Sequence, residues 1–150
     1  MLTGQAPLVL FDRRRVLYWS SPDQTLDFTT KDDVARTTAL VALDPDAPRV
    51  VEVAGDRVTS GSIADTMSRL TGTAFRLQWA GTAGTLSAMA RVGRTLSKAD
   101  DREPFPAWQG MQYFVSMFSG EAELHHVRND RYGEQHWTTV ADVLAAHLGV

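Results

Sequence analysis

The chain has 150 residues, a formal net charge of −3, 43% hydrophobic residues and no cysteine. The absence of cysteine excludes disulfides, thiolate zinc sites and a cysteine nucleophile. Basic residues are not in excess, so we expect no nucleic acid as a partner. No apolar run approaches the roughly 20 residues that span a bilayer, and no secretory signal can be read, so we expect a cytoplasmic protein without a membrane partner. The length indicates a single domain over residues 1–150.

The first 45 residues predict three strands and a helix. Residues 8–11 and 16–19 are β-branched or aromatic runs typical of a hairpin. The arginines at positions 13–15 between them indicate a charged surface turn, with a phosphate clamp as the alternative. A third strand at residues 26–29 leads to a helix that begins after Thr30, because Thr30 and Asp33 form a carboxylate version of the capping box. The apolar spacing predicts that this helix buries Val34, Ala35, Thr38, Val41 and Ala42.

The middle of the chain predicts further alternation of strand and helix. Residues 49–55 indicate a strand closed by a glycine. The helix that follows is expected to be capped by Ser60 or Ser62 and to end at Gly72. Its apolar face comprises Ile63, Ala64, Met67 and Leu70. Residues 75–79 alternate apolar and polar side chains, which is typical of a half-exposed strand.

The last third predicts three helices. The apolar stripe of the first comprises Leu86, Met89, Ala90, Gly93 and Leu96, and a charged loop is expected at residues 98–104. The next helix, over residues 106–118, has the stripe Trp108, Met111, Val115 and Phe118. Thr139 and Asp142 cap the last helix, whose stripe is Val140, Val143, Leu144 and Leu148. The order of elements indicates an α/β fold (α+β in isolation), with a small sheet and about five helices.

Two patterns bear on catalysis and cofactor binding. A glycine-containing turn at residues 81–87 follows a strand and precedes a helix, as in a pyrophosphate cradle, but Ser87 occupies the third glycine position and steric needs explain such turns equally well. No tyrosine is followed four residues later by a lysine, so catalytic residues stay unknown. The four histidines show no spacing typical of a metal site, and we assign neither a metal nor a cofactor-binding residue to this chain.

The helix over residues 106–118 carries the candidate substrate site. Gln109, Gln112 and Tyr113 fall off its apolar stripe, and an aromatic ring beside an amide is what an apolar ligand pocket uses to orient a polar group. Together with Trp108, we predict that these residues bind substrate. The alternative is that they are ordinary surface or core residues.

Several of these segments resemble those of one family. Residues 26–34 resemble the strand-to-helix element of NmrA-like, atypical short-chain dehydrogenase/reductase proteins, and residues 51–70 resemble their strand, glycine and helix segment. The C-terminal signatures of the family are similar to residues 104–113, 129–132 and 137–140. The resemblance covers essentially the whole chain and corresponds to the C-terminal half of those proteins. Residues 1–4 look like an internal stretch of a longer relative, which is expected of a truncated product, a misassigned start or one part of a split protein.

The resemblance implies a function that this chain performs only in part. In the family, the N-terminal half binds NAD(P) on a doubly wound sheet, whereas the second half supplies later strands and a substrate lobe. Relatives reduce carbonyls or quinone-like acceptors, and some sense the NAD(P) redox state. We expect the substrate-lobe half of an NAD(P)-dependent oxidoreductase, inactive alone, with a small apolar, carbonyl or quinone-like ligand and with either the N-terminal half or a second copy as partner. The alternatives are a stand-alone small-molecule-binding, interaction or dimerisation domain, a regulator derived from a redox sensor, and a complete small enzyme of unrecognised chemistry.

Overall fold

The computed structural model describes residue 2, residues 7–96 and residues 107–150. Over these residues the chain forms five α-helices, a three-stranded mixed sheet and a two-stranded sheet, an α/β fold as predicted. The elements in chain order are β1 (Val9–Leu10), β2 (Arg15–Tyr18), β3 (Leu26–Phe28), α1 (Lys31–Leu43), β4 (Asp56–Val58), α2 (Ser60–Thr71), β5 (Arg76–Trp79), α3 (Ala83–Leu96), α4 (Ala107–Ser119) and α5 (Val140–Leu148). The predicted charged loop at residues 98–104 lies outside the described residues.

The three-stranded sheet has the order β1, β2, β5. The predicted hairpin is confirmed, because β1 pairs antiparallel with β2 and Val9 lies opposite Val16. Arg13 and Arg14 are exposed in the turn between them, and Arg14 adopts a left-handed φ of 52°. β5 adds to the other side of β2 in parallel, and α2 lies between these two strands in the sequence and packs against both.

The two-stranded sheet corrects one prediction. β3 pairs antiparallel with β4, and an ion pair between Arg57 and Asp27 at 2.7 Å joins the two strands. The strand expected at residues 49–55 is therefore not formed there. The strand in this part of the chain is β4, which begins at Asp56. Residues 49–55 instead contribute a single parallel bridge, between Glu52 and Val127. Valine-rich sequence favours an extended backbone there, but a ladder also needs a neighbouring strand along its length.

The predicted position of helix α1 is confirmed, but the helix buries a different face from the predicted one. Val34 is 46% exposed, and the buried side chains of the helix are Asp33 and Thr37. Ala35, Thr38 and Ala42 are also exposed, and Val41 is half-buried. The reason is that Asp33 accepts a hydrogen bond from the backbone N–H of Thr138 at 3.1 Å, which directs the polar side of the helix toward that segment. The apolar side of α1 is left uncovered by the described residues.

Local capping chemistry sets the helix starts. Thr30 and Thr139 are the N-caps of α1 and α5, as predicted, and each side chain accepts from the backbone N–H three residues later. The cap of α2 is Thr59 and not Ser60 or Ser62, the two predicted caps. Ser62 instead completes the capping box of Thr59. Gly72 ends α2 in the left-handed conformation, with φ at 63°.

The core lies between α2, α4, α5 and the three-stranded sheet. Its aromatic centre joins Trp19, at the end of β2, to Phe114 and Phe118 of α4, with ring centroids 5.4 and 5.0 Å from that of Trp19. Helices α3 and α4 approach closely at Gly93, where an added Cβ would lie 3.3 Å from the Cβ of Trp108. Leu86 and Ala90 of the predicted α3 stripe are buried, whereas Met89 is 58% exposed.

Strand β5 is half-exposed, as predicted, but its apolar side chains are on the outside. Leu77 and Trp79 are exposed, whereas Gln78 between them is half-buried. The alternation was therefore correct and its orientation was not evident from the sequence. Among the described residues, no helix is both long enough and apolar enough to cross a bilayer.

Candidate functional site

Three of the four predicted substrate residues meet at one surface. Gln109, Gln112 and Tyr113 border a depression of about 350 Å³ on α4, together with Ser116. Trp108 is not part of that border, because it packs toward Gly93 of α3. Ser116 was missed by the sequence analysis, although its spacing of four residues from Gln112 places both on one helical face. Substrate binding by these residues stays a prediction.

The α4 depression offers polar groups on a partly apolar surface. The two glutamine amides supply donors and acceptors, Ser116 supplies a hydroxyl, and Tyr113, which is 60% exposed, supplies an accessible ring and a phenol. Such groups can donate hydrogen bonds to a carbonyl oxygen while the ring packs against the rest of a ligand.

The glycine-containing turn at residues 81–87 is occupied by hydrogen bonds of its own. The N–H groups of Thr82 and Thr85 donate to each other's hydroxyl oxygens at 2.9 and 3.2 Å, and the N–H of Ala83 donates to the hydroxyl of Ser20 at 3.0 Å. A pyrophosphate needs free N–H groups at a helix start. Three N–H groups of this turn are therefore engaged in the capping of α3 and in the contact with Ser20, and the absence of a dinucleotide at the turn stays a prediction.

A larger cleft, which we call the charged cleft, lies beside residues 48–53 and has a volume of about 540 Å³. One wall is apolar and consists of Pro48, Val50 and Val51. The remaining lining residues are Glu52, His126, Arg128, Asp130 and Arg131. This cleft was not predictable from the sequence, because its two sides are more than 70 residues apart.

Glu52 holds the two sides of the charged cleft together. One oxygen of its carboxylate accepts the backbone N–H groups of His125 at 3.0 Å and of His126 at 2.6 Å. The backbone carbonyl of Glu52 accepts the N–H of Arg128 at 2.9 Å. The hydrogen bond from the His126 N–H is the main reason that the pKa of Glu52 is lowered. This carboxylate is therefore ionised and committed to the backbone.

Arg131 is fixed by neighbours outside the cleft. Its Nη2 donates to the carboxylate of Asp44 at 2.8 Å and to the carbonyl of Asp46 at 3.0 Å, and its Nε donates to the hydroxyl of Tyr132 at 3.2 Å. The hydrogen bond from Arg131 is the largest cause of the lowered pKa of Asp44. Arg131 enters the cleft as a cation whose position is set in advance.

Residues 48–53 have a second hollow on their other face. It has a volume of about 250 Å³, and its lining includes Val51 and Val53 on one side and Val34 and Val41 of α1 on the other. Val50 and Glu52 line the charged cleft, Val53 lines the hollow beside α1, and Val51 borders both. Both faces of this segment are thus open in the described chain.

Comparisons with known proteins leave the function to be inferred from the chain itself. No protein-family model and no curated protein matches the sequence. Within the described ranges, no group of three or more histidine, aspartate or glutamate side chains is placed to hold a metal ion.

Proposed function

We propose that the chain is the substrate-lobe half of an NmrA-like, NAD(P)-dependent oxidoreductase. The dinucleotide is bound by a separate α/β unit that packs on residues 48–53. The proposal is supported by the glycine turn of this chain, where the N–H groups of Thr82, Ala83 and Thr85 are engaged within the chain and not free for a pyrophosphate.

The observation that carries this proposal is the open, valine-rich segment at residues 50–53. It has a parallel bridge on one edge, from Glu52 to Val127. Val50 is 69% exposed, and the N–H groups of Val50, Val51 and Val53 donate to no other described residue. Strands of parallel sheets are normally paired on both edges and covered on both faces, and their sequences are accordingly rich in valine. Segment 50–53 has the composition of such a strand, but in the described chain one of its edges is unpaired and both of its faces are open.

In this proposal the α4 depression binds the substrate and residues 50–53 bind the unit that carries the cofactor. The α4 depression, with Gln109 and Gln112, orients a carbonyl or quinone-like acceptor by hydrogen bonds to its oxygen. The other unit supplies the bound NAD(P) and covers Val50, Val51 and Val53. The isolated chain is then expected to bind neither NADH nor NADPH and to have no reductase activity.

The test combines the chain with a separately produced dinucleotide-binding half of an NmrA-like relative. Hydrogen exchange at the amides of Val50, Val51 and Val53 should slow at least tenfold on mixing. Val50→Lys should abolish this effect, whereas Val92→Lys, at an exposed position of α3, should not. Binding of NADPH to the isolated chain, or exchange that is unchanged in the mixture, would argue against the proposal.

A second candidate function is a stand-alone dimerisation or small-molecule-binding domain. An uncovered strand edge invites pairing with another copy, and segment 50–53 is such an edge. Light scattering across a concentration series separates the candidates. A dimer whose Val50, Val51 and Val53 amides are protected favours the second function, and a monomer in which they exchange freely favours the first.

A further inference from the structure

We propose that the charged cleft binds a small organic carboxylate with a short aliphatic chain. The cleft has a volume of about 540 Å³, which is within the usual range for small-molecule sites. The cleft requires no dinucleotide and is separate from the α4 depression, but it shares Val50 and Val51 with the surface that the other unit would cover, so ligand binding is tested on the isolated chain.

The first argument is that the guanidinium of Arg131 is positioned before any ligand arrives, and that Arg128 adds an exposed guanidinium to the same cleft. Arg131 is held through its Nε and Nη2 by Tyr132, Asp44 and the backbone of Asp46. Its Nη1 has no hydrogen-bond partner among the described residues. The backbone of Arg128 is fixed by its hydrogen bond to Glu52, and its guanidinium contacts no described acceptor. Guanidinium groups with free N–H donors bind carboxylates in a defined geometry.

The second argument is the charge balance, which favours a single negative charge on the ligand. Two arginines line the cleft, and Asp130 offsets part of their charge. One oxygen of the Glu52 carboxylate accepts the N–H groups of His125 and His126, and because this carboxylate is ionised, its charge offsets that of the second arginine. The two arginines and the two carboxylates of the lining leave no net charge. A monocarboxylate therefore suits the cleft better than a phosphate or pyrophosphate, whose additional negative charges would meet repulsion from both acidic groups.

The third argument is the apolar wall. Pro48, Val50 and Val51 line the side of the cleft that carries no charge, and Val50 is largely exposed to solvent. A hydrocarbon chain laid on this wall removes apolar surface of both partners from water, which is favourable. The ligand is therefore expected to need both a carboxylate and a chain of a few methylene groups.

The probes that test this are hexanoate, acetate, hexanamide and pyrophosphate, titrated into the isotopically labelled chain and followed by the NMR shifts of the His126 and Arg128 amides. Hexanoate should bind at least about tenfold more tightly than acetate, which lacks the chain, and than hexanamide, which lacks the charge. Arg128→Gln should weaken hexanoate binding about tenfold or more. Arg13→Gln removes one exposed arginine at the β1–β2 turn and should leave hexanoate binding unchanged.

The remaining variant tests the aliphatic chain of the ligand separately from its carboxylate. Val50→Ser should weaken hexanoate and leave acetate unaffected. Hexanoate binding that is equally strong in Arg128→Gln, or pyrophosphate binding tighter than hexanoate, would overturn the assignment. So would the absence of shifts with about 10 mM hexanoate. None of these results bears on NADPH binding or on exchange at Val53, so this proposal and the proposed function fail separately.

Discussion

The carboxylate of Asp33, in the first turn of α1, accepts the backbone N–H of Thr138 at 3.1 Å, although the two residues are 105 positions apart. The same oxygen accepts the hydroxyl of Thr30 at 2.8 Å, and the other oxygen lies 3.0 Å from Nη2 of Arg36. Burial of Asp33 opposes its ionisation, but these hydrogen bonds and the charge of Arg36 outweigh it, so the pKa is lowered. One side chain thereby joins the start of α1 to the segment that leads into α5.

Asp33→Ala should lower the free energy of unfolding by about 3 kcal/mol, because it leaves the part-buried N–H of Thr138 without its acceptor and removes a hydrogen bond to a buried charge. The control is Asp32→Ala, which removes a neighbouring exposed carboxylate from the same helical turn and should cost only about 0.5 kcal/mol. Urea denaturation of both variants measures the difference. Equal losses would mean that the Thr138 contact contributes nothing beyond the helix dipole.

The contact between Glu52 and the backbone of His125 and His126 should depend on pH. The folded-state pKa of Glu52 is lowered from its ordinary 4.5, so its carboxylate stabilises the folded chain above about that pH. This contribution is lost as the pH falls through the lower folded-state pKa. Hydrogen-exchange protection at the His126 and Arg128 amides, corrected for intrinsic rates, should therefore be greater in the native chain than in Glu52→Gln at pH 6. The difference should shrink toward pH 3. A constant difference would show that ionisation of Glu52 does not matter.

The caps of α1 and α5 should each contribute about 1 kcal/mol, as N-cap hydroxyls commonly do. Thr30→Ala and Thr139→Ala are expected to lower stability by that amount and to leave ligand binding intact. Thr38→Ala is the matched control, because its hydroxyl donates to the carbonyl of Val34 within the exposed part of α1. A loss for Thr38→Ala as large as for the two caps would contradict the assignment.

Gly93 should be required for the approach of α3 to α4. A side chain there would meet the Cε of Met111 at 3.2 Å and the Cβ of Trp108 at 3.3 Å, so Gly93→Val should cost about 1–3 kcal/mol. Gly84→Val, in the first turn of α3, meets only the Thr82 hydroxyl at 3.6 Å and should change stability by less than about 0.5 kcal/mol. Thermal unfolding of the two variants gives the comparison, and similar midpoints would mean that the helices separate without cost.

Features that depend on neighbouring residues in the sequence were predictable. Thr30 and Thr139 cap helices, and Gly72 ends one, because the atoms involved lie within four residues of each other. The grouping of Gln109 with Gln112 on α4 follows from helical spacing in the same way. Ser116 extends that face by one more turn.

Features that depend on distant partners were not predictable. Which side of α1 is buried is decided by Thr138, and the hydrogen bonds from His125 and His126 to Glu52 span more than 70 positions. The extended segment at residues 49–55 was recognised, but its pairing with a single residue, Val127, could not be read from valine content. The charged cleft arises from the same long-range contact and was missed for the same reason.

The exposed side chain of Trp79 makes the tryptophan fluorescence of the chain sensitive to contacts at β5. Trp79, on the outer strand of the three-stranded sheet, is 60% exposed, whereas Trp19, directly after the adjacent strand β2, is 7% exposed and packed against Phe114. An added iodide quencher therefore reaches the first indole and not the second. Anything that settles on β5 would shield Trp79 from iodide, and loosening of the core would expose Trp19. Titration of the native chain beside Trp79→Phe separates the signal of Trp79 from those of Trp19 and of the half-buried Trp108 and Trp137. Association at this edge changes the difference between the two chains, whereas partial unfolding also changes the signal that remains in Trp79→Phe.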